Sequence, residues 1–132
     1  MALKKKKKKM EVTAQFTTLN SKDVIYGISE DRFQLVDVRT AKEYEAHHIP
    51  DSMLIPIQEL EKRYVELDST RETLVICERG VRSQEACSFL SKMGFMKLYN
   101  LKGGLCRYEG AQDGKHLFKS KMKNLFWRIF HF

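Results

Sequence analysis

The sequence predicts an α/β fold in which a parallel β-sheet is covered by helices on both faces. Three short runs of apolar and β-branched residues, at 33–38, 53–55 and 73–77, are typical of buried strands. Segments with apolar residues at helical spacing lie between these strands and after the last of them. Strands that alternate with helices along a chain favour parallel pairing through helical crossovers.

The first half of the chain predicts two strands and two helices. Residues 12–16 alternate apolar and polar side chains, which predicts a short edge strand. Ser21 is the predicted N-cap of the first helix, and the buried strand 33–38 follows that helix. A helix of about one turn at 42–46 comes next, and Pro50 prevents its extension. The apolar residues of the first helix are Val24, Ile25 and Ile28.

The second half continues the same alternation after the strand at 53–55. Apolar residues recur at helical spacing over 57–67, and the strand 73–77 follows. A helix over 82–93 carries one apolar stripe and ends at Gly94. A last strand at 97–101 is ended by a pair of glycines at 103 and 104.

The charge of the chain divides it into three segments: a basic tail at 1–11, a domain at 12–114 and a basic amphipathic helix at 115–132. The 132 residues suffice for one domain, and the formal net charge is +7. Eleven of the 24 basic residues lie in the two ends, so residues 10–114 contain 13 basic and 17 acidic residues. The domain itself is therefore acidic, and no specific nucleic-acid partner is predicted. The six-lysine run is either a native tail or an added tag.

Three widely spaced cysteines suggest neither a disulfide framework nor a zinc site, because the chain has no CxxC and no Cys/His ligand spacing. A single reactive thiol in a reducing compartment fits this pattern better. Residues 10–15 are mixed in polarity, unlike the apolar core of a signal peptide, which is roughly 7–15 residues long. We therefore expect a cytoplasmic protein, with peripheral attachment to a membrane left open.

The strongest chemical signal is the loop from Cys77 to Ser83, which joins a buried strand to a helix. Gly80 permits a positive φ, so the loop can turn its backbone N–H groups toward the sulfur. The start of the helix, Arg79 and Arg82 add positive charge, which favours a thiolate and an anionic substrate. The alternative is a buried structural cysteine, but the glycine and two arginines favour a reactive thiol.

The pattern Cys77-x-x-Gly80-x-Arg82-Ser83 resembles the active-site loop of the rhodanese family. The resemblance implies a three-layer sandwich built on a parallel five-stranded sheet. It also implies transfer of a sulfane sulfur through a persulfide on Cys77, without a metal or an organic cofactor. The implied partners are a small anionic donor such as thiosulfate and a thiol or cyanide acceptor. Three further motifs carry the resemblance: Leu35-Val36-Asp37-Val38-Arg39; Glu43-Tyr44 with His48-Ile49-Pro50; and Gly94-Phe95, Tyr99-Asn100-Leu101 and Gly103-Gly104.

This resemblance assigns Cys77 as the catalytic residue and the rest of the loop as the substrate-binding residues. Asp37 and Arg39 are expected to support the site by capping helix ends and holding loops together. Related phosphatase and arsenate-reductase loops place five residues between Cys and Arg, whereas four residues here suit a single sulfur atom. Glu78 opposes thiolate formation and is expected to point outward or to pair with Arg79. The substrate-binding residues are Glu78, Arg79, Gly80, Val81, Arg82 and Ser83.

The remaining cysteines and histidines have mostly structural interpretations. Cys87 lies on the apolar side of its helix and is expected in the core. Cys106 is expected to be exposed, and a resolving role against a Cys77 persulfide is its functional alternative. His48 is interpreted as structural and His47 as a surface residue.

The basic ends leave two questions open. One face of the segment 116–132 is apolar and the other is basic, which fits either packing on a protein surface or binding to an anionic membrane. A second functional hypothesis follows from these ends. In it, the domain is a non-catalytic binding module with the rhodanese fold, and its basic tails localise it.

Overall fold

The computed structural model describes residues 16–108, which form a fully parallel five-stranded sheet with helices on both faces. This confirms the predicted architecture, with β4 at the centre and β1 and β3 at the edges. In sheet order the strands run β1-β5-β4-β2-β3. The strands are β1 (Phe16–Leu19), β2 (Gln34–Asp37), β3 (Met53–Leu54), β4 (Thr73–Ile76) and β5 (Leu98–Leu101).

Four α-helices connect these strands, and each of the first two begins at a side-chain cap. Asn20, rather than the predicted Ser21, caps the first helix by accepting the N–H of Asp23. The second helix begins with a capping box in which Thr40 and Glu43 bond each other's backbone N–H groups. The helices are α1 (Ser21–Ser29), α2 (Ala41–Ala46), α3 (Leu60–Arg63) and α4 (Arg82–Lys92).

Two predicted elements differ from those observed. The helix expected over 57–67 is divided, with α3 between 3₁₀ turns at Ile57–Glu59 and Tyr64–Glu66. Both Leu60 and Leu67 are buried in one core, so packing rather than helical periodicity sets the path of this segment. The described part of the edge strand expected at 12–16 extends further, since Phe16–Leu19 each pair with a residue of β5, while residues 12–15 lie outside the described residues.

Two apolar cores lie on opposite faces of the sheet, as alternation along the buried strands requires. Leu74 and Ile76 point into the core beneath α1, while Val75 and Cys77 point toward α4. Because Cys77 belongs to the second core, its sulfur lies between the sheet and the start of α4. The first core contains Val24, Phe33, Leu35, Ile49, Leu74, Ile76, Leu101, Leu105 and Tyr108.

Because all five strands are parallel, their carboxyl ends lie at the same end of the sheet, which we call its carboxyl edge. The segment after β2, the cysteine loop after β4 and the turn after β5 therefore meet there. The predicted tail at 1–11 and the predicted helix at 115–132 lie outside the described residues. Within residues 16–108, no helix is long and apolar enough to cross a membrane.

Candidate active site

Cys77 directly follows the central strand and is almost completely buried, at 1% exposure. The N–H of Gly80 donates to its Sγ over 2.9 Å, and Gly80 has the predicted positive φ, at 85°. Helix α4 begins at Arg82 without a side-chain cap on its N-terminus. A sulfur at this position therefore faces a backbone donor and the positive end of a helix, as the loop composition predicts.

A buried chain of hydrogen bonds extends from Cys77 into the neighbouring strand. The Cys77 thiol donates to the Ser83 hydroxyl over 3.1 Å, and that hydroxyl donates to Oδ1 of Asn100 in β5. The Nδ2 of Asn100 in turn donates to the Thr18 hydroxyl of β1 over 3.4 Å. Because Ser83 has one hydroxyl proton, donating it to a Cys77 thiolate means withdrawing it from Asn100.

This competition for one proton predicts opposite effects of two substitutions. We expect Ser83→Ala to slow the alkylation of Cys77 at a fixed pH, because the thiolate loses a hydrogen-bond donor. Asn100→Leu should accelerate it, because the Ser83 proton is then free for the sulfur. Iodoacetamide labelling, followed by mass spectrometry of the Cys77 peptide, measures both rates. Rate changes in the same direction would contradict competition between Asn100 and Cys77 for the Ser83 proton.

Arg82 is held at the mouth of the site by a two-armed ion pair with Glu43 of α2. Its Nη1 and Nη2 each donate to one carboxylate oxygen over 3.1 Å. These hydrogen bonds lower the pKa of Glu43 from 4.5 to about 2, so the pair stays ionised at neutral pH. The guanidinium has five N–H donors, so three remain available to a bound anion.

Arg39 joins three segments at this edge of the sheet from a fully buried position. Its Nη2 and Nε donate to the Asp37 carboxylate over 2.9 to 3.1 Å, and Nη2 also donates to the His47 carbonyl at the end of α2. Its Nη1 donates to Glu78 over 3.2 Å. Arg39 thus connects the end of β2, the end of α2 and the cysteine loop, and the supporting role of Asp37 and Arg39 in the site stays a prediction. The expected pairing of Glu78 with Arg79 was wrong, because its partner is Arg39, and the Glu78 side chain is 29% exposed.

The turn after β5 is hydrogen-bonded to the cysteine loop through its backbone. The Leu105 N–H donates to the Cys77 carbonyl, and the Cys106 N–H donates to the Glu78 carbonyl, both over 2.9 Å. Gly104 has a φ of 70° and lies so close that an added Cβ would overlap the backbone between Glu78 and Arg79. The path of the cysteine loop thus depends on a residue outside it.

The other predicted loop residues lie on the outside of the site. Val81 is 71% exposed and Arg79 is also exposed. The structure thus brings Cys77, Gly80 and Ser83 into direct contact and places Arg82 beside them. The remaining loop residues form the rim.

Sequence reasoning missed three functional candidates: Glu43, Asn100 and Gly104. A polar residue inside the apolar strand Leu98–Leu101 was a signal for Asn100, since buried polar groups need partners. The spacing of Thr40 and Glu43 is a signal for the observed capping box, but it does not indicate the pairing of Glu43 with Arg82. Gly104 was recognised only as part of a motif that ends a strand.

The two remaining cysteines differ in environment. Cys87 is completely buried, as predicted, and burial raises its pKa to about 12. Cys106 is exposed, as predicted, and its resolving role remains a prediction. His48 stacks on Tyr44 with ring centroids 3.8 Å apart, which fits the structural interpretation. Among residues 16–108, no group of three His, Cys, Asp or Glu side chains could hold a metal ion.

Comparison with known families tests the resemblance directly. The family model described as "Rhodanese-like domain" matches residues 20–111, which is more than half of the chain. The chain belongs to the rhodanese-like family. The match contains all the loops that meet at the carboxyl edge of the sheet, from α1 to the turn after β5.

Individual rhodanese-like relatives agree with this assignment. The putative sulfur carrier protein YrkF of Bacillus subtilis is 39% identical over 85 residues, which is 64% of this chain and 46% of that protein. A sulfurtransferase of Allochromatium vinosum is 35% identical over 71 residues, or 54% of this chain and 66% of its own. The chain thus spans less than two thirds of the length of both curated relatives.

A solved structure supports the rhodanese fold. The crystal structure of a rhodanese-related protein from Thermoplasma volcanium is 28% identical, with a TM-score of 0.70. The match covers 79% of this chain and 99% of that one. The three-layer fold predicted from the sequence is therefore the family's fold.

Proposed function

We propose that the protein transfers a sulfane sulfur from thiosulfate or another persulfide to a thiophilic acceptor, through a persulfide on Cys77. The observation that carries this proposal is the buried Cys77 sulfur, which faces the Gly80 N–H and the uncapped start of α4. Membership of the rhodanese-like family and a relative named as a sulfurtransferase support the same reaction class.

The first half-reaction is a displacement at sulfur. The Cys77 thiolate attacks the outer sulfur of thiosulfate, the S–S bond of the donor breaks, and sulfite leaves with the bonding electron pair. The product is a Cys77 persulfide whose terminal sulfur carries a negative charge. Backbone N–H groups and the helix dipole stabilise that charge, as they do other anions at helix N-termini.

The second half-reaction returns the enzyme to its starting state. A thiolate or cyanide attacks the terminal sulfur, the persulfide bond breaks, and the Cys77 thiolate leaves with the electron pair. In this scheme Arg82 orients the anions that enter and leave through the N–H donors that its pair with Glu43 does not use. No metal or organic cofactor takes part in this scheme.

Mass spectrometry of the thiosulfate-treated protein tests this mechanism. We expect one added sulfur atom on the Cys77 peptide, none on the Cys87 peptide, and removal of the adduct by cyanide with formation of thiocyanate. The Cys77→Ser variant should carry no adduct and should have no sulfurtransferase activity. The Cys87→Ser variant should form the adduct and remain active.

Two results would count against the persulfide mechanism. One is wild-type protein that stays unmodified by thiosulfate or by a persulfide donor. The other is turnover in Cys77→Ser equal to that of the wild type. Either result would favour the alternative of a non-catalytic binding module.

A further inference from the structure

The edge of the sheet that holds Cys77 also carries a separate groove of about 650 Å³. It lies between the start of α1, the cysteine loop and the turn after β5. Its volume is within the range of roughly 300–1,000 Å³ that is common for small-molecule sites. The lining residues are Asn20, Ser21, Arg79, Lys102, Gly103, Cys106 and Arg107.

The charge of this groove is one-sided. Arg79, Lys102 and Arg107 are exposed, and none of the lining residues within the described part of the chain, 16–108, is acidic. Elsewhere among residues 16–108 the arginines are mostly paired, since Arg32, Arg39, Arg63 and Arg82 each form an ion pair. Two of the three arginines without such a pair in this part of the chain line the groove.

Like charges in one concavity repel one another, and their field attracts anions. A scattered surface charge is normally only solvated, but here three cations share one cavity. Glu78 is the nearest acidic neighbour in the cysteine loop, and Arg39 already pairs with its side chain. The groove therefore keeps its positive field.

The groove is connected to the cysteine loop through short backbone contacts. Arg79 belongs to both, and Cys106 on the groove wall donates its N–H to the Glu78 carbonyl. The Leu105 N–H reaches the Cys77 carbonyl itself. The groove thus adjoins the backbone of the cysteine loop and shares Arg79 with it, although Cys77 itself does not line the groove.

We propose that this groove binds the sulfur acceptor, and that the preferred acceptor is a thiol bearing two or more carboxylates. This inference rests on the proposed function, because it concerns the second half-reaction. The carboxylates pair with Arg79, Lys102 and Arg107, while the thiolate attacks the terminal sulfur of the Cys77 persulfide. That sulfur is transferred to the acceptor, and the Cys77 thiolate is released.

The test measures the second half-reaction alone, on full-length protein already converted to the Cys77 persulfide. Loss of the persulfide is followed by mass spectrometry with mercaptosuccinate, a thiol with two carboxylates, and with thioglycerol, a neutral thiol of similar size. The variant Lys102→Gln/Arg107→Gln removes two groove charges, and glutamine retains Cβ and Cγ, two of the three Arg107 carbons nearest Gly103. We expect the rate ratio of mercaptosuccinate to thioglycerol to fall about tenfold, as for lost charge-assisted hydrogen bonds.

The matched control is Lys92→Gln/Lys97→Gln, which removes the same charge. Lys92 ends α4 and Lys97 precedes β5, so both lie at the end of the sheet opposite the carboxyl ends of the strands. This control should keep the wild-type ratio, and added salt should lower that ratio in the wild type. Equal ratios in the groove variant and the wild type would overturn the inference. Failure of the wild type to form any persulfide would instead overturn the proposed function.

Discussion

Gly104→Ala is expected to lower the rate of sulfur transfer about a hundredfold, since displacements of about 1 Å can cost that much. The new Cβ would overlap the Glu78 carbonyl and approach the Arg79 nitrogen to 2.6 Å. Backbone atoms cannot rotate away as a flexible side chain can, so the cysteine loop must move. The Gly80 N–H would then no longer point at the Cys77 sulfur as it does now.

Gly94→Ala is the matched control for this prediction. Gly94 also has a positive φ, of 98°, but an added Cβ would meet no atom within 4 Å. The Gly94→Ala substitution should lower the free energy of unfolding by about 1–2 kcal/mol through backbone strain and leave the rate of sulfur transfer unchanged. Thermal unfolding and the thiosulfate–cyanide assay, corrected for the folded fraction, measure both effects. A Gly104→Ala protein that is folded and as active as Gly94→Ala would contradict the positioning role of the turn.

Asp37→Asn is expected to lower the free energy of unfolding by about 3–5 kcal/mol, because it leaves the Arg39 charge buried without its main partner. Both side chains of this pair are completely buried. Glu78 alone cannot compensate for the loss, since it contacts only Nη1 and is itself partly exposed. Denaturant unfolding measures this change, because its midpoint and m-value together give the free energy of unfolding.

Two further proteins make this prediction specific. Glu72→Gln breaks the partly exposed pair with Arg32 and should cost about 1 kcal/mol or less. The double variant Asp37→Leu/Arg39→Met removes both buried charges and should recover much of the stability that Asp37→Asn loses. A loss in Asp37→Asn as small as that in Glu72→Gln would show that the buried pair contributes little.

The sequence was most informative where a few consecutive residues determine a structural feature by themselves. A buried strand requires apolar residues, and a tight loop requires Gly80, so β4 and the cysteine loop were predicted from local residues alone. Cys77 was identified because a strand end, a glycine and two arginines lie within six residues of one another. The family resemblance added the expectation that this cysteine carries a sulfane sulfur.

Interactions between distant segments could not be predicted in the same way. The Glu43–Arg82 and Arg39–Glu78 pairs each join residues 39 positions apart, and several partners of opposite charge were equally available in the sequence. The position of Gly104 against the Glu78 carbonyl depends on how two loops pack. Such contacts are determined by how the assembled sheet brings its loops together. The partner of Glu78 was therefore predicted wrongly from the sequence.

The order of the strands also bears on how the chain folds while it is being synthesised. β1 pairs only with β5, and Thr18 and Asn100, which contact each other, are 82 positions apart. The ribosome therefore makes this edge strand long before it makes the strand that pairs with it.

The β2–β4 pair can form earlier, since its register joins Gln34 to Thr73. During the interval β1 has unpaired N–H and C=O groups that are open to other strands, a known route to aggregation. Sheet completion thus waits for the last described strand. Among the strands that the structure describes, the first to be translated is the last that can join the native sheet.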